Sequence, residues 1–583
     1  MPEAITQNLD LWTAALLKQS SAGNNGSGNN QSYGVQKLRE LILELALRGK
    51  LVPQDPNDEP ASVLLERLQK GRTQLTRQGQ NKQQRLTPEI ATSEKPYSLP
   101  AGWCWARLPD IASYKVGKTP STKNPDFWAE SEIGIPWVSI SDMDHMNVLT
   151  TTTKRITDYA AERVFGYEPI PEGSLLMSFK LTVGKTAILG INAYHNEAII
   201  SLQPGSGIAI DYLLRALPLR AQQGNTKRAL MGQTLNSTSL ALLLIPVPPT
   251  AEQRRIVAKV DELMALCVQL EHQQTDSIEA HQTLVETLLG ALTSTSSQQE
   301  RTKSWTRMAN YFDTLFTTEH SIDQLKQTIL QLAIMGRLVP QEPYDEPASA
   351  LLARVAEAKH RLVEAGEIPQ QKPLAAIDPD AMPFRLPDGW RWAYVSDVAK
   401  MITSGSRDWA KYYSTAGALF LTMGNLSRGD YQLRLDSLRF VNPPRDGEGS
   451  RTRLEANDLL ISITGDVGNL GLIPDDFPEA YINQHTCLLR FMPDCQNRYF
   501  AELMRSPWAK YQFDAPQRGV KNSFRLGDVG EMIIPIPPLA EQRRIVARID
   551  EVMALCDNLK ARLTSARNTQ IHLAEAIVAQ GVA

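Results

Sequence analysis

One long internal repeat constrains this chain more than anything else in it. The stretch IPVPPTAEQRRIVAKVDELMALC, Ile245 to Cys267, returns as IPIPPLAEQRRIVARIDEVMALC, Ile534 to Cys556, with 18 of 23 positions identical. Upstream, VQKLRELILELALRGKLVPQDPNDEPASVLLERL (Val35 to Leu68) matches IDQLKQTILQLAIMGRLVPQEPYDEPASALLARV (Ile322 to Val355). LPAGWCWARLPDIA from Leu99 likewise matches LPDGWRWAYVSDVA from Leu386. Three landmarks in one order, at nearly one offset, define a duplicated unit of almost half of the 583 residues. That period is far beyond those of solenoid repeats, and the length exceeds what a single core holds. The chain is therefore two copies of one architecture.

Each copy reads as helix, mixed β domain, helix. Leu38, Leu41, Ile42 and Leu45 fall on one helical face. Gly49 stands where a left-handed C-terminal cap belongs, as Gly336 does in the second copy. A Gln-rich stretch (71–95) or an Ala/Glu-rich one (356–372) leads to the Gly-Trp-x-Trp landmark. Strand-like runs follow: GSLLMSF, KTAILGI and EAIISLQ in copy one, DLLISIT, NLGLI and TCLLRFM in copy two. Pro246, Pro248 and Pro249 then force an extended path, because proline fixes φ and donates no ladder bond. Thr250 with Gln253 has the spacing of a capping box, which predicts a helix start; Leu539 in copy two requires a different cap.

Apolar residues then step by four and three: Ile256, Val260, Leu263, Cys267 and Leu270, and again Ile545, Ile549, Val552, Cys556, Leu559 and Leu563. The spacing reads as a coiled-coil seam or as a helix packed on its own domain, and two matching helices in one chain favour packing on each other. A helix from Thr250 to about Thr293 spans on the order of 65 Å. Such a spacer holds two β-rich domains apart, the geometry for reading two half-sites about one duplex turn apart.

What the chain lacks narrows its function. Apolar and charged fractions of 42% and 21% are those of an ordinary globular protein, and no apolar run is long enough to span a membrane. The opening MPEAITQNLDLW has no basic region before an apolar core, so no secretory leader is expected. Cys104, Cys267, Cys487, Cys495 and Cys556 form no CxxC pair, which points to reduced thiols in a cytoplasm. A net charge of −3 gives no global footprint of nucleic-acid binding. Residues 384–536 hold 18 basic and 18 acidic side chains, and residues 97–246 hold 13 and 12. DNA binding by this chain alone is therefore expected to be weak and salt-sensitive; if DNA is the partner, the basic groups must be local or another subunit must bring them.

Catalytic motifs are missing too. A methyltransferase needs a glycine-rich cofactor loop and an (Asn/Asp)-Pro-Pro-aromatic motif. Asn442, Pro443 and Pro444 are followed by Arg445 where a stacking aromatic belongs, so the stretch reads as a turn. The Gly-Lys-Thr triplets at Gly117 and Gly184 lack the earlier glycine of a phosphate loop. Asp142-Met143-Asp144-His145 reads as a turn rather than a metal site, and the eight histidines show no HxxxH or HxH spacing.

Loops with mixed donors suit DNA better, since Arg grips guanine and Asn or Gln grips adenine with two bonds. The candidates in copy one are Lys118, Thr119, Ser121, Lys123 and Asn124, with Lys180, Thr182 and Lys185 at strand ends. In copy two they are Ser404, Ser406, Arg407, Trp409 and Lys411, with Asn469, Gln484, Lys521 and Asn522.

GKTPSTKNPDFW...IPWVSISDM, LLMSFKLTVGKTAI and NEAIISL in copy one resemble one class of target-recognition domain of the type I restriction-modification specificity subunits. SGSRDWAKYYSTAGALFLTMGNLSRG, LLISITGDVGN and AYINQHTCLLR in copy two resemble another, and PPxAEQRRIVAxxDEhMALC (h apolar) resembles the family's shared helical region. In length and N-terminal helical segment the chain is most similar to the larger subfamily with an extended N-terminus. The resemblance covers nearly the whole chain. It implies an α+β fold: two pseudo-symmetric mixed β-rich recognition domains, separated and joined by long helices forming an antiparallel coiled coil.

The expected division is a helix and Gly/Asn/Ser linker (1–33), a first helical region (34–96), recognition domain one (97–247) and a central spacer helix (248–318). A second helical region (319–383), recognition domain two (384–536) and a C-terminal helix (537–583) follow. The resemblance further implies a non-catalytic cytoplasmic subunit that binds a bipartite double-stranded DNA target. Its partners would be two methyltransferase subunits, which methylate adenine in each half-site, and two restriction-translocase subunits, with which the complex cleaves unmodified DNA. S-adenosylmethionine, ATP and Mg would be bound by those partners, none by this chain. A fused methyltransferase or nuclease, and a coiled-coil scaffold that ignores DNA, are the competing readings.

Overall fold

The computed structural model describes residues 5, 7–18, 30–77, 88–130, 133–223, 227–229, 232–235, 237–295, 297–444, 449–515 and 523–582. The chain divides into two compact units, Met1–Ser277 with Ala566–Ala583, and Ile278–Ser565. Two long helices, Thr250–Ser294 and Leu539–Val582, begin where the Pro-rich stretches predict. Both unit limits fall inside these helices, so each unit contains the head of one and the tail of the other.

In the first unit the main sheet has five strands, in the order Ala112–Val116, Ile199–Pro204, Leu175–Ser178, Thr186–Leu189, Asn147–Leu149. All pairs are antiparallel except the last. The apolar run Leu175–Met177 is a strand covered on both faces. Leu175 and Met177 enter the large core beneath the long helices, while Leu176 enters a second core with Val138 and Ile199. A smaller sheet runs Tyr194–His195, Ile135–Val138, Lys154–Ile156, Trp128–Ala129. Cys104–Arg107 pairs with Leu244–Val247, clasping the start of the β domain to its end. Pro246 is tolerated because that ribbon has only two strands.

The second unit repeats this plan. Its main sheet runs Ala399–Ser404, Thr486–Phe491, Leu459–Ser462, Leu470–Leu472. A small sheet contains Tyr413–Ser414, Phe440–Val441, Ala418–Leu421 and Ala480–Ile482. Arg391–Tyr394 and Ile533–Ile536 form the clasp.

The repeated words are repeated because they meet in space. In the first unit the buried Trp103 indole donates to Glu252 Oε2 at 2.9 Å and Gln54 donates to Glu252 Oε1 at 3.2 Å. Arg255 pairs with Asp58 at 2.5 Å. Gln253 closes the proline turn, donating to the Pro248 carbonyl at 3.0 Å and accepting from the Ala209 N–H at 2.7 Å. The second unit copies the set: Trp390 to Glu541 at 2.9 Å, Gln341 to Glu541 at 3.0 Å, Arg544 to Asp345 at 2.5 Å, and Gln542 to the Pro537 carbonyl at 3.0 Å. Burial pushes both glutamate carboxyls above the ordinary range, against the pull of these hydrogen bonds. Gly49 and Gly336 adopt φ of +67° and +66°, and a Cβ there would lie 2.4 Å from Pro100 or Pro387.

One expectation needs correction. Thr250 is not an N-cap: it is the first helical residue and its hydroxyl donates to the Gly207 carbonyl, while Gln253 serves the turn. That is why Leu539 is an adequate replacement. The heptad residues are first of all core residues of their own units. Ile256, Val260, Leu263, Cys267 and Leu270 share a core with Leu38, Leu41, Ile42 and Leu45 of the helix Tyr33–Leu47. Ile545, Ile549 and Cys556, flanked by Val552, Leu559 and Leu563, share one with Ile322, Leu325 and Ile329 of Glu319–Ile334. Helix-on-helix packing inside a domain uses the same four-and-three ridges as a coiled coil, so spacing did not separate the two.

Candidate nucleic-acid interface

Three loops gather at one end of each main sheet. In the first unit Ala112–Val116 runs out into loop 117–124, Leu175–Ser178 into the connection 179–185, which holds the short strand Lys180–Leu181, and turn 195–198 leads into Ile199–Pro204. The register Val116 to Ile200 and Ser178 to Ile199 puts all three at the same end. The Lys118 N–H donates to the His195 carbonyl at 2.9 Å, and the Phe179 N–H to the Ala198 carbonyl at 2.9 Å. A Cβ on Gly117 would sit 2.0 Å from the His195 carbonyl oxygen, so only glycine permits this approach. Asn196 Oδ1 accepts from the Ala198 N–H at 3.1 Å, fixing the turn. The Ser178 hydroxyl braces the connection 179–185, donating to the Thr182 carbonyl and accepting from the Lys185 N–H at 3.0 Å.

The second unit has the same frame. The Gly405 N–H donates to the Asn483 carbonyl at 3.1 Å, and a Cβ on Gly405 would lie 1.9 Å from the Ile482 carbonyl oxygen. Asn483 Oδ1 accepts from the His485 N–H at 3.1 Å, and the Ile463 N–H donates to the His485 carbonyl at 3.0 Å. The Ser462 hydroxyl donates to the Asp466 carbonyl and accepts from the Asn469 N–H at 2.8 Å. These bonds align Gly117 with Gly405, Asn196 with Asn483, and Ser178 with Ser462.

The frame brings most of the sequence candidates together, in different conditions. Thr119 donates to the exposed Glu197 carboxylate. Lys118 spends its ammonium on the Val164 carbonyl at 2.7 Å, and Lys185 reaches the Ile140 carbonyl at 3.4 Å. Asn124 caps a short turn by accepting from the Asp126 N–H at 3.2 Å. Ser121, Lys123 and Thr182 are exposed, and the half-buried Lys180 lies 5.2 Å from the Phe179 ring. In the second unit Arg407 and Lys411 are exposed, Ser404 and Ser406 are half-buried, and Ser406 accepts from the Asp408 N–H at 3.2 Å. Gln484 is half-buried and donates to His485 Nε2 at 3.0 Å. Lys521 and Asn522 lie outside the described residues.

Two candidates are corrected. Trp409 is only 2% exposed and packs among Phe420, Val441 and Tyr481, so it holds the small sheet together instead of presenting a ring to solvent. Asn469 is 7% exposed and donates to Asp466 at 3.1 Å, a loop brace in place of an open base-edge group.

Sequence reasoning passed over Glu197 and the two Asn turns. The signal was present as HNEAIISL against INQHTCLL, but with Asn alone identical between the turns it shows only once the backbone is superposed. Burial pushes His195 down to about 4. The gathered groups are donors, acceptors and cations for binding. Among the described residues no cluster of three His, Cys, Asp or Glu is placed to hold a metal, and no helix is long and apolar enough to cross a membrane.

The two units thus carry one loop frame with different polar side chains on it, held by the sheet behind. Residues 100–280 and 440–566 match the family described as the type I restriction modification DNA specificity domain. The chain is 35% identical to the specificity subunit of the type I restriction enzyme EcoAI of Escherichia coli over 598 aligned residues, 98% of each chain. It is also 35% identical to that of EcoEI, from the same organism, over 98% of each. Among solved structures, the HsdS subunit from Thermoanaerobacter tengcongensis aligns with 84% of this chain and 98% of its own, at 18% identity and a TM-score of 0.41. The chain belongs to the family of type I restriction-modification specificity subunits, as a DNA-recognition subunit and not a catalytic one.

Proposed function

We propose that each unit reads one half of a bipartite double-stranded DNA target through its three-loop edge. The observation that carries this reading is the pairing of a shared frame with divergent side chains: Lys118, Thr119 and Glu197 in one unit, Ser406, Arg407 and Gln484 in the other. One scaffold holding two chemistries is what two different half-sites require. The long helices act as the spacer that sets the unread gap, running as an antiparallel pair, and they offer the docking surface for methyltransferase subunits, two per complex. Those partners methylate adenine in each half-site with the S-adenosylmethionine they bind. Two motor-endonuclease subunits with ATP and Mg complete a cytoplasmic complex that cleaves unmodified DNA. The chain itself contributes recognition and geometry.

The test is an adenine-methylation map. The chain is expressed with its cognate methyltransferase subunit in a host free of adenine methylation, and N6-methyladenine is located by sequencing. The expected result is a split motif methylated once on each strand across a fixed gap. A stable complex that leaves no split motif contradicts the reading.

A further inference from the structure

The turns at Asn196 and Asn483 hold one position where the two units differ in hydrogen-bond type. Each Asn side chain accepts from the N–H two residues on, at 3.1 Å in both units. The residue between is thereby held at the mouth of the three-loop edge: Glu197 in the first unit, Gln484 in the second. Glu197 is exposed, and among the described residues its side chain accepts one bond, from the Thr119 hydroxyl. A carboxylate has lone pairs for about four bonds and no donor. It therefore keeps acceptor capacity facing out of the loop frame and suits a base edge that presents an amino group.

Gln484 is fixed differently. Its amide donates to His485 Nε2 at 3.0 Å, and His485 Nδ1 meets the Thr464 hydroxyl at 2.7 Å on the neighbouring loop. That chain orients the amide with one N–H and the carbonyl oxygen uncommitted among the described residues, a donor beside an acceptor. Arg407 occupies the loop position of Thr119, and among the described residues nothing equivalent to the Thr119 bond holds Gln484.

Resting on the recognition role above, we infer that Glu197 and Gln484 are equivalent specificity-determining residues, one for each half-site. Glu197 accepts from the exocyclic amino group of a cytosine. Gln484 pairs with an adenine through both its N–H and its carbonyl, the two-bond arrangement that an acceptor-only carboxylate does not make. Thr119 and His485 are positioning residues that set the two side chains.

The experiment uses the full chain in its methyltransferase complex. DNA carrying every single-position variant of the wild-type motif is methylated by wild-type, E197Q and Q484E complexes, and the methylated molecules are sequenced. E197Q is expected to lower discrimination at one base pair of one half-site by roughly tenfold or more and to leave the other half-site unchanged. Q484E does the same in the opposite half. Neither side chain is in a core, and circular dichroism with co-purification confirms that the variants fold and assemble. An unchanged profile, or a uniform loss across every variant sequence, overturns the inference while the wild-type motif still stands. If wild type yields no split motif, the recognition role itself fails and the inference falls with it.

Discussion

His195 shows how a single residue gives one unit a property the other lacks. Its ring is buried at the turn, Nε2 has no partner among the described residues, and desolvation pushes it down to about 4. An unfolded histidine titrates near 6.5. Between those values the unfolded chain binds the proton and the folded chain resists it. The stability His195 allows is therefore full above about pH 6.5 and is lost as pH falls through 4, on the order of 3 kcal/mol at the limit. Ile482 holds the equivalent place in the second unit. Urea midpoints between pH 7 and 4.5 are expected to fall less for His195→Ile than for wild type, and parallel curves contradict this. Trp103 makes a second case. Trp103→Phe leaves the buried Glu252 Oε2 without its 2.9 Å donor, at a cost of about 1–3 kcal/mol to the first unit. Trp390→Phe is expected to do the same to the second, and a change in unfolding free energy below about 0.3 kcal/mol in both rules it out.

At the scale of elements, the loop frames depend on backbone approach more than on side-chain contact. Gly117→Ala drives a Cβ to 2.0 Å from a carbonyl oxygen and must lift loop 117–124 off the Asn196 turn. The expected outcome is a complex that loses methylation of the split site and binds half-site-one competitor DNA at least tenfold more weakly, with half-site-two competitor unaffected. Gly405→Ala should give the mirror result, and a change in both competitors from either variant contradicts the two-frame account. The strands behind these loops were readable in advance, because runs such as LLMS and LLIS are buried on both faces and read as continuous apolar stretches. The helices were readable from their spacing, but what they pack against was not, since a domain core and a coiled-coil seam call for the same periodicity. Site residues were legible as types and not as states. Arg407 and Lys411 are exposed cations as their loop suggests. Trp409 sits between them in sequence and is carried into the core by its neighbours in the small sheet. Glu197 was hidden because its meaning comes from a turn that only the fold aligns.

For the whole molecule, the duplication explains both what is constant and what varies. Among the constant residues, Trp103 with Glu252 and Trp390 with Glu541 clasp each β domain to its long helix, and Arg255 with Asp58 and Arg544 with Asp345 tie that helix to the preceding helical region. The varying residues lie on the loop edges. A molecule assembled this way should accept a new β domain without disturbing the rest, because the clasp belongs to the frame and the specificity to the loops. The most direct measurement replaces residues 98–245 with the corresponding domain of a specificity subunit that reads a different sequence, and maps adenine methylation by the hybrid complex. The account predicts a split motif in which one half changes, the other half stays, and the gap is kept. A motif unchanged in both halves, or changed in both, contradicts it.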